Sequence, residues 1–123
     1  MNKKIINIEG TKIAVIQSAE PIITDVQSTL DLLATVGYED GCERVVINKE
    51  GIIESFFKLS SGIAGEVLQK VVNYHKKLAI IGDLSCYTSK PLHDFIYECN
   101  RGNDVFFVET EQKAIECLLR NRG

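Results

Sequence analysis

The sequence predicts an α/β fold: a mixed sheet of about five strands, built from an N-terminal hairpin and then alternating helices and parallel strands, with helices packed against it. Three observations carry this. Residues 78–81, Leu-Ala-Ile-Ile, are apolar without alternation, as a central strand covered on both faces must be. Just before them, Ile63, Ala64, Val67, Leu68, Val71 and Val72 recur at the spacing of one buried helical stripe. From Thr24 onward helical and strand patterns alternate, and crossover helices of this length oblige successive strands to run parallel. Right-handed crossovers then put any ligand crevice outside the carboxyl ends of those strands.

Taken in order, residues 5–8 and 12–16 are short β-rich runs joined at Gly10 and Thr11, which reads as a hairpin. Thr24 with Gln27 is a capping-box pattern, and Val26, Leu30 and Leu33 mark a helix that stops near Gly37, with loop over 38–43. Val45, Val46 and Ile47 supply the strand over 44–48. Ile52, Ile53, Phe56 and Phe57 give an apolar face to a short helix over 50–59, with Glu54 and Lys58 placed for an i,i+4 pair. Ser60, Ser61 and Gly62 open the long helix. Gly82 and Asp83 end the central strand, and 84–89 is loop. Pro91 stands in the first turn of the next helix and Gly102 beyond its end, with Leu92, Phe95, Ile96 and Cys99 as its stripe. Residues 105–108 form the last strand. Thr110 caps a final helix that buries Ala114, Ile115, Cys117 and Leu118.

The 123 residues suffice for a single core, so the chain reads as one domain, 1–123. Its net charge of −3, with lysines and arginines scattered, gives no footprint for nucleic acid and little attraction to anionic lipid. No apolar run spans a bilayer, and Asn7, Glu9 and Lys12 interrupt any signal-peptide core, so the expected compartment is the cytoplasm. Cys42, Cys86, Cys99 and Cys117 lack C-x-x-C spacing. They read as thiols of a reducing compartment, Cys86 alone lying in a turn after a central strand.

Two polar stretches fall where α/β sheets hold ligands. One is the helix start Ser60, Ser61, Gly62, an ordinary cap or a serine whose phosphate the helix amides would stabilise. The other is 83–90, where Asp83, Ser85, Tyr87, Thr88, Ser89 and Lys90 gather; with Asn48, Lys49, Glu50 and Glu109 they would form one rim. Loop and cap duty is the structural alternative, with Asp83 accepting turn amides and Ser89 or Thr88 capping. Asp25 reads as a helix-start acid, and His75 and His93 as surface residues. No nucleophile and base pair off, so no catalytic residue, metal ligand or cofactor is assigned.

The stretches TDVQSTLDLLATV, FFKLSSGIAGEVLQK, KLAIIGDLSCYTSKPLHDFIYE and VFFVETEQKAI, spanning Ile13 to Leu118, resemble a bacterial family known as domain of unknown function 4180, which implies no activity. More distantly, the order of elements and the Ser-Ser-Gly helix start are similar to STAS domains, including those of the SpoIIAA-like kind, in which Asp-Ser-Ser-Gly-Leu-Gly opens the helix and a partner kinase phosphorylates the first serine. Ser60 matches that serine, Ser61 and Gly62 the next two residues and Ile63 the leucine, whereas Leu59 replaces the aspartate and Ala64 the second glycine. The resemblance implies a STAS-like regulatory or protein-interaction module. Its partner would be an unidentified protein rather than nucleic acid or membrane, and the chain itself a monomer or weak homodimer. The alternative is a small-molecule binder or enzyme with a polar pocket at Glu50, Asp83, Tyr87 and Lys90.

Overall fold

A computed structural model describes residues 1–120. The chain runs β1 (Asn2–Ile8), β2 (Thr11–Gln17), α1 (Val26–Asp40), β3 (Arg44–Asn48), three short 3-10 turns (Lys49–Gly51, Glu54–Phe57, Leu59–Ser61), α2 (Ile63–Asn73), β4 (Lys77–Ile81), α3 (Lys90–Arg101), β5 (Val105–Val108) and α4 (Glu111–Leu119). One five-stranded sheet has the order β1-β2-β3-β4-β5, antiparallel between β1 and β2 and parallel thereafter. The expected mixed α/β fold is therefore present.

The hairpin is longer than its apolar runs, and its turn is Glu9–Gly10, one residue earlier than expected. Both turn residues have positive φ, 52° and 89°, the conformation a two-residue turn needs to follow the strand twist.

Every parallel crossover steps to the next strand in the same direction, so right-handed connections place α1, α2 and α3 on one face. There Ala14, Ile16, Val45, Ile47, Leu78, Ile80, Val105 and Phe107 point at the helices. The alternate residues Ile13, Val15, Val46, Ala79 and Phe106 point the other way and are covered by Ala114 and Leu118 of α4. Burial on both faces explains the unbroken apolar strands. Because the strand order never reverses, the sheet has no switch-point crevice.

Four local expectations are corrected. Helix α1 is capped by Asp25 and Ser28, not by Thr24 and Gln27: Asp25 Oδ1 accepts from the Ser28 amide at 2.8 Å and Ser28 Oγ from the Asp25 amide at 3.0 Å. It also runs through Gly37 to Asp40, because Val36 extends the buried face, Gly41 takes the left-handed cap and the buried Cys42 amide bonds the Val36 carbonyl. The helix expected over 50–59 is replaced by the 3-10 turns. Its start is drawn into an extended bridge between Ile52 and Ile23, in which Gly51 accepts from the amides of Ile22 and Ile23 and the Ile53 amide donates to Ile23. Gly51 packs so closely that a Cβ there would lie 2.8 Å from Ile47 Cδ1. Val72, expected on the buried stripe of α2, is 42% exposed, since the buried line runs Ala64, Val67, Val71.

Candidate functional site

The carboxyl ends of the parallel strands are dressed by two connections, residues 49–62 after β3 and 82–89 after β4. The first begins with Asn48, whose buried amide donates to the Ser18 carbonyl at 2.7 Å and accepts from the Ser18 amide at 2.8 Å. Asn48 thus clamps the ends of β2 and β3 together. It also donates to Glu50 Oε1 at 3.1 Å, leaving Glu50 an exposed acid bound to the clamp.

The Ser-Ser-Gly turn divides its labour. Gly62, at φ 83°, is the N-cap of α2 in a conformation suited to glycine, and no side chain caps the helix in the usual way. Ser61 Oγ donates to the Ser55 carbonyl at 2.7 Å and accepts from the Ile63 amide at 3.3 Å, so it ties the turn to the preceding 3-10 segment. Ser60 is exposed, and among the described residues its hydroxyl has no hydrogen-bond partner.

The second connection is fastened by Tyr87. Its ring stacks on Phe57, centroids 5.0 Å apart, its hydroxyl donates to Glu54 Oε1 at 2.6 Å, and Lys49 Nζ stands 5.4 Å from the ring centre. Partial burial, and then the hydrogen bond to Glu54, push the Tyr87 phenol well above its ordinary range. The expected Glu54–Lys58 pairing is therefore superseded: Glu54 engages Tyr87. Lys49 Nζ donates to the Asp83 carbonyl at 3.0 Å and lies 3.8 Å from Cys86 Sγ. Asp83 caps its own turn, accepting from the Ser85 amide at 2.8 Å, and hydrogen bonds from Ser85 hold its carboxyl below the usual range. Ser89, rather than Thr88, caps α3 by accepting from the Leu92 amide at 3.3 Å. His93 Nε2 is 2.6 Å from the Tyr87 carbonyl, an acceptor only, so that nitrogen carries the proton.

These residues do not converge on one cavity. A cleft of about 590 Å³ lies between the two connections, lined by Glu54, Phe57, Leu59, Ser60, Tyr87, Ser89 and Pro91 among others. A second, of about 430 Å³ and reached from the other side of the 82–89 connection, takes in Asp83, Ser85, His93, Tyr97 and Glu109. Lys90 lines neither and pairs with Asp94 one helical turn on, at 2.8 Å. Asp25 serves α1 as its cap, and His75, two residues past α2 at φ 56°, lines a cleft with Glu43 and Lys77 where β3 and β4 begin, at the opposite end of the sheet.

Glu54 and Phe57 are the site residues that sequence reasoning did not place on the rim; Lys49 was placed there, without its bond to Asp83 or its approach to the Tyr87 ring. The one available signal was an aromatic, Tyr87, in a loop of small polar residues. The four cysteines are free thiols: Cys42 and Cys99 are buried, Cys117 half-buried and Cys86 exposed. Burial raises the Cys99 thiol to about 11. Among the described residues no three His, Cys, Asp or Glu side chains gather as a metal would need, and no helix is long and apolar enough to cross a membrane.

The profile of the family DUF4180, a domain of unknown function, matches residues 8–118. The chain belongs to that family. The match takes in β2 through α4 almost entirely, and with them both clefts and the Ser-Ser-Gly turn. No curated protein and no solved structure matches the chain.

Proposed function

We propose that this DUF4180 protein is a STAS-like regulatory or protein-interaction module of the bacterial cytoplasm, and that its partner is a protein docking at the cleft between residues 54–60 and 87–91. The observation that carries the reading is the contrast within the Ser-Ser-Gly turn: Ser61 is committed to holding the turn, whereas Ser60 offers an exposed hydroxyl without a partner at the lip of the cleft. The floor beside it is apolar, from Phe57, Leu59, Tyr87 and Pro91, and suits an apolar side chain of a docking segment. The resemblance to STAS domains points to the same serine. A phosphate on Ser60 would place about two negative charges at that lip and change the affinity of whatever docks there.

The test is affinity capture from bacterial lysate with wild type, Ser60→Ala, Ser60→Asp and Tyr87→Ala, each checked for unchanged folding by far-UV circular dichroism. Loss of one captured protein with Ser60→Asp and Tyr87→Ala, and its retention by Ser60→Ala, supports the reading. Equal capture by all four proteins refutes it.

A further inference from the structure

An open sheet has two edges, and this protein treats them differently. The outer edge of β5 is closed by α3: Asn100 Nδ2 donates to the Phe107 carbonyl at 3.1 Å and Asn100 Oδ1 accepts from the Phe107 amide at 2.7 Å. One carboxamide thus takes the place of a neighbouring strand. On the outer edge of β1, by contrast, no described residue other than those of β2 hydrogen-bonds to the backbone. The strand is seven residues long, Asn-Lys-Lys-Ile-Ile-Asn-Ile, with no proline or glycine to blunt it.

Lysines often guard such edges, but here both are engaged in ion pairs with helices of their own chain. Lys3 pairs with Asp40 at the end of α1 at 2.6 Å, and Lys4 with Glu111 at the start of α4 at 3.1 Å. They sit on opposite faces, as alternation requires. Ile5 lies on the α1 face with Lys3 and Asn7 and is 39% exposed; Ile6 lies on the α4 face with Lys4 and Ile8, half-buried against the residues packed there.

We propose that β1 pairs antiparallel with β1 of a second copy of this chain, about a two-fold axis through Ile5, so that one sheet continues through both molecules. Such an axis stands perpendicular to the sheet and keeps α1 to α3 of both copies on the same side, so opposed residues must lie on the same face. Ile5 is the middle residue of the strand, and centring there is the register that pairs all seven residues. It sets Ile5 against Ile5, Lys4 against Ile6, Lys3 against Asn7 and Asn2 against Ile8. The charges favour this register: no lysine faces a lysine, whereas centring on Lys4 would oppose two of them. The proposal uses no residue of the cleft and stands apart from the proposed function.

Sedimentation over a concentration series tests it. Wild type should show a monomer–dimer equilibrium, and Ile5→Lys, which puts like charges together at the axis, should shift the midpoint to concentrations roughly tenfold or more higher. A wild type that stays monomeric at every concentration, or a dimer unaffected by Ile5→Lys, overturns the proposal. Cross-linking keeps it testable should Ile5→Lys unfold. Opposed Cα atoms in an antiparallel pair are about 4.5–5.5 Å apart, within disulfide reach. In a Cys86→Ser background, Ile5→Cys should form a covalent dimer under mild oxidation and Lys3→Cys should not. The reverse pattern, or cross-linking by neither, sinks the register and the proposal with it.

Discussion

The two connections at the carboxyl end of the sheet solve the same problem in opposite ways. Residues 49–62 turn inward: Gly51, Ile52, Phe56 and Phe57 are buried, and backbone bonds to Ile22 and Ile23 bind the segment to the chain ahead of α1. Residues 82–89 turn outward, with no side chain fully buried; two short bonds, Ser85 to Asp83 and Tyr87 to Leu84, shape the segment, and its ends are tied to Val108 of β5 and to Leu92 and His93 of α3. What fastens the second to the first is one aromatic ring, one phenol and one lysine. The difference teaches that the cleft has one wall belonging to the core and one wall hung upon it. Surfaces that adapt to a partner are drawn from the less stable kind.

The largest expected effects therefore lie in the core and its wall. Ile80→Asp or Val67→Asp puts an unpaired carboxylate between sheet and helix, and either should leave the protein unfolded or insoluble. Phe56→Ala should cost about 3–5 kcal/mol in urea unfolding. A loss of less than about 1 kcal/mol would mean that the first connection is no more part of the core than the second.

Tyr87 should matter less, and in a pH-dependent way. Tyr87→Phe keeps the stacking on Phe57 and loses the bond to Glu54, for a cost of about 1 kcal/mol near neutrality. Because the folded phenol titrates above the ordinary 10.0, the stability it adds is fully present below that pH and is lost as pH rises beyond it. Melting temperatures between pH 8 and 12 should accordingly fall more steeply for wild type than for Tyr87→Phe. Parallel curves would show that the outer wall does not depend on this bond. Hydrogen exchange sharpens the same point: Tyr87→Ala should speed exchange over 84–89 while leaving β3 and β4 protected.

What was legible in the sequence was local. The strands over 44–48 and 105–108 agree with their apolar runs residue for residue, and Ser89 and Thr110 cap α3 and α4, since a run and a cap each depend on neighbours within one turn. The end of α1 was not legible, because Gly37 and Gly41 are equally able to stop a helix and the choice is made by the burial of Cys42. The 3-10 segment was hidden for a related reason: its apolar spacing fits a helix, and the bridge of Ile52 to Ile23 that overrides it crosses a long stretch of chain. For the site, the sequence places the candidate residues at the strand ends, but does not show their division between two clefts, nor that Glu50 and Lys90 line neither. Glu54 was matched with a lysine four residues on when its partner lies thirty-three residues away. Sequence proximity favours the first pairing; only packing brings Tyr87 down onto Phe57.

The smallest expected effects belong to the two serines, where the comparison becomes one between adjacent residues. Ser61 holds the last 3-10 turn to the Ser55 carbonyl and accepts the first amide of α2, so Ser61→Ala removes a bond at each end of a tight turn and should cost about 1 kcal/mol. Ser60 makes no such bond, and Ser60→Ala should change stability by less than about 0.5 kcal/mol, as surface substitutions do. Urea unfolding of both variants measures the difference directly. Equal costs would show that Ser60 is also structural and would remove the ground for treating its hydroxyl as available. If Ser61→Ala costs the more, the modification question narrows to one atom: phosphate on Ser60 Oγ would displace no bond within the fold, whereas phosphate on Ser61 Oγ would have to break the tie to Ser55 before it reached a partner.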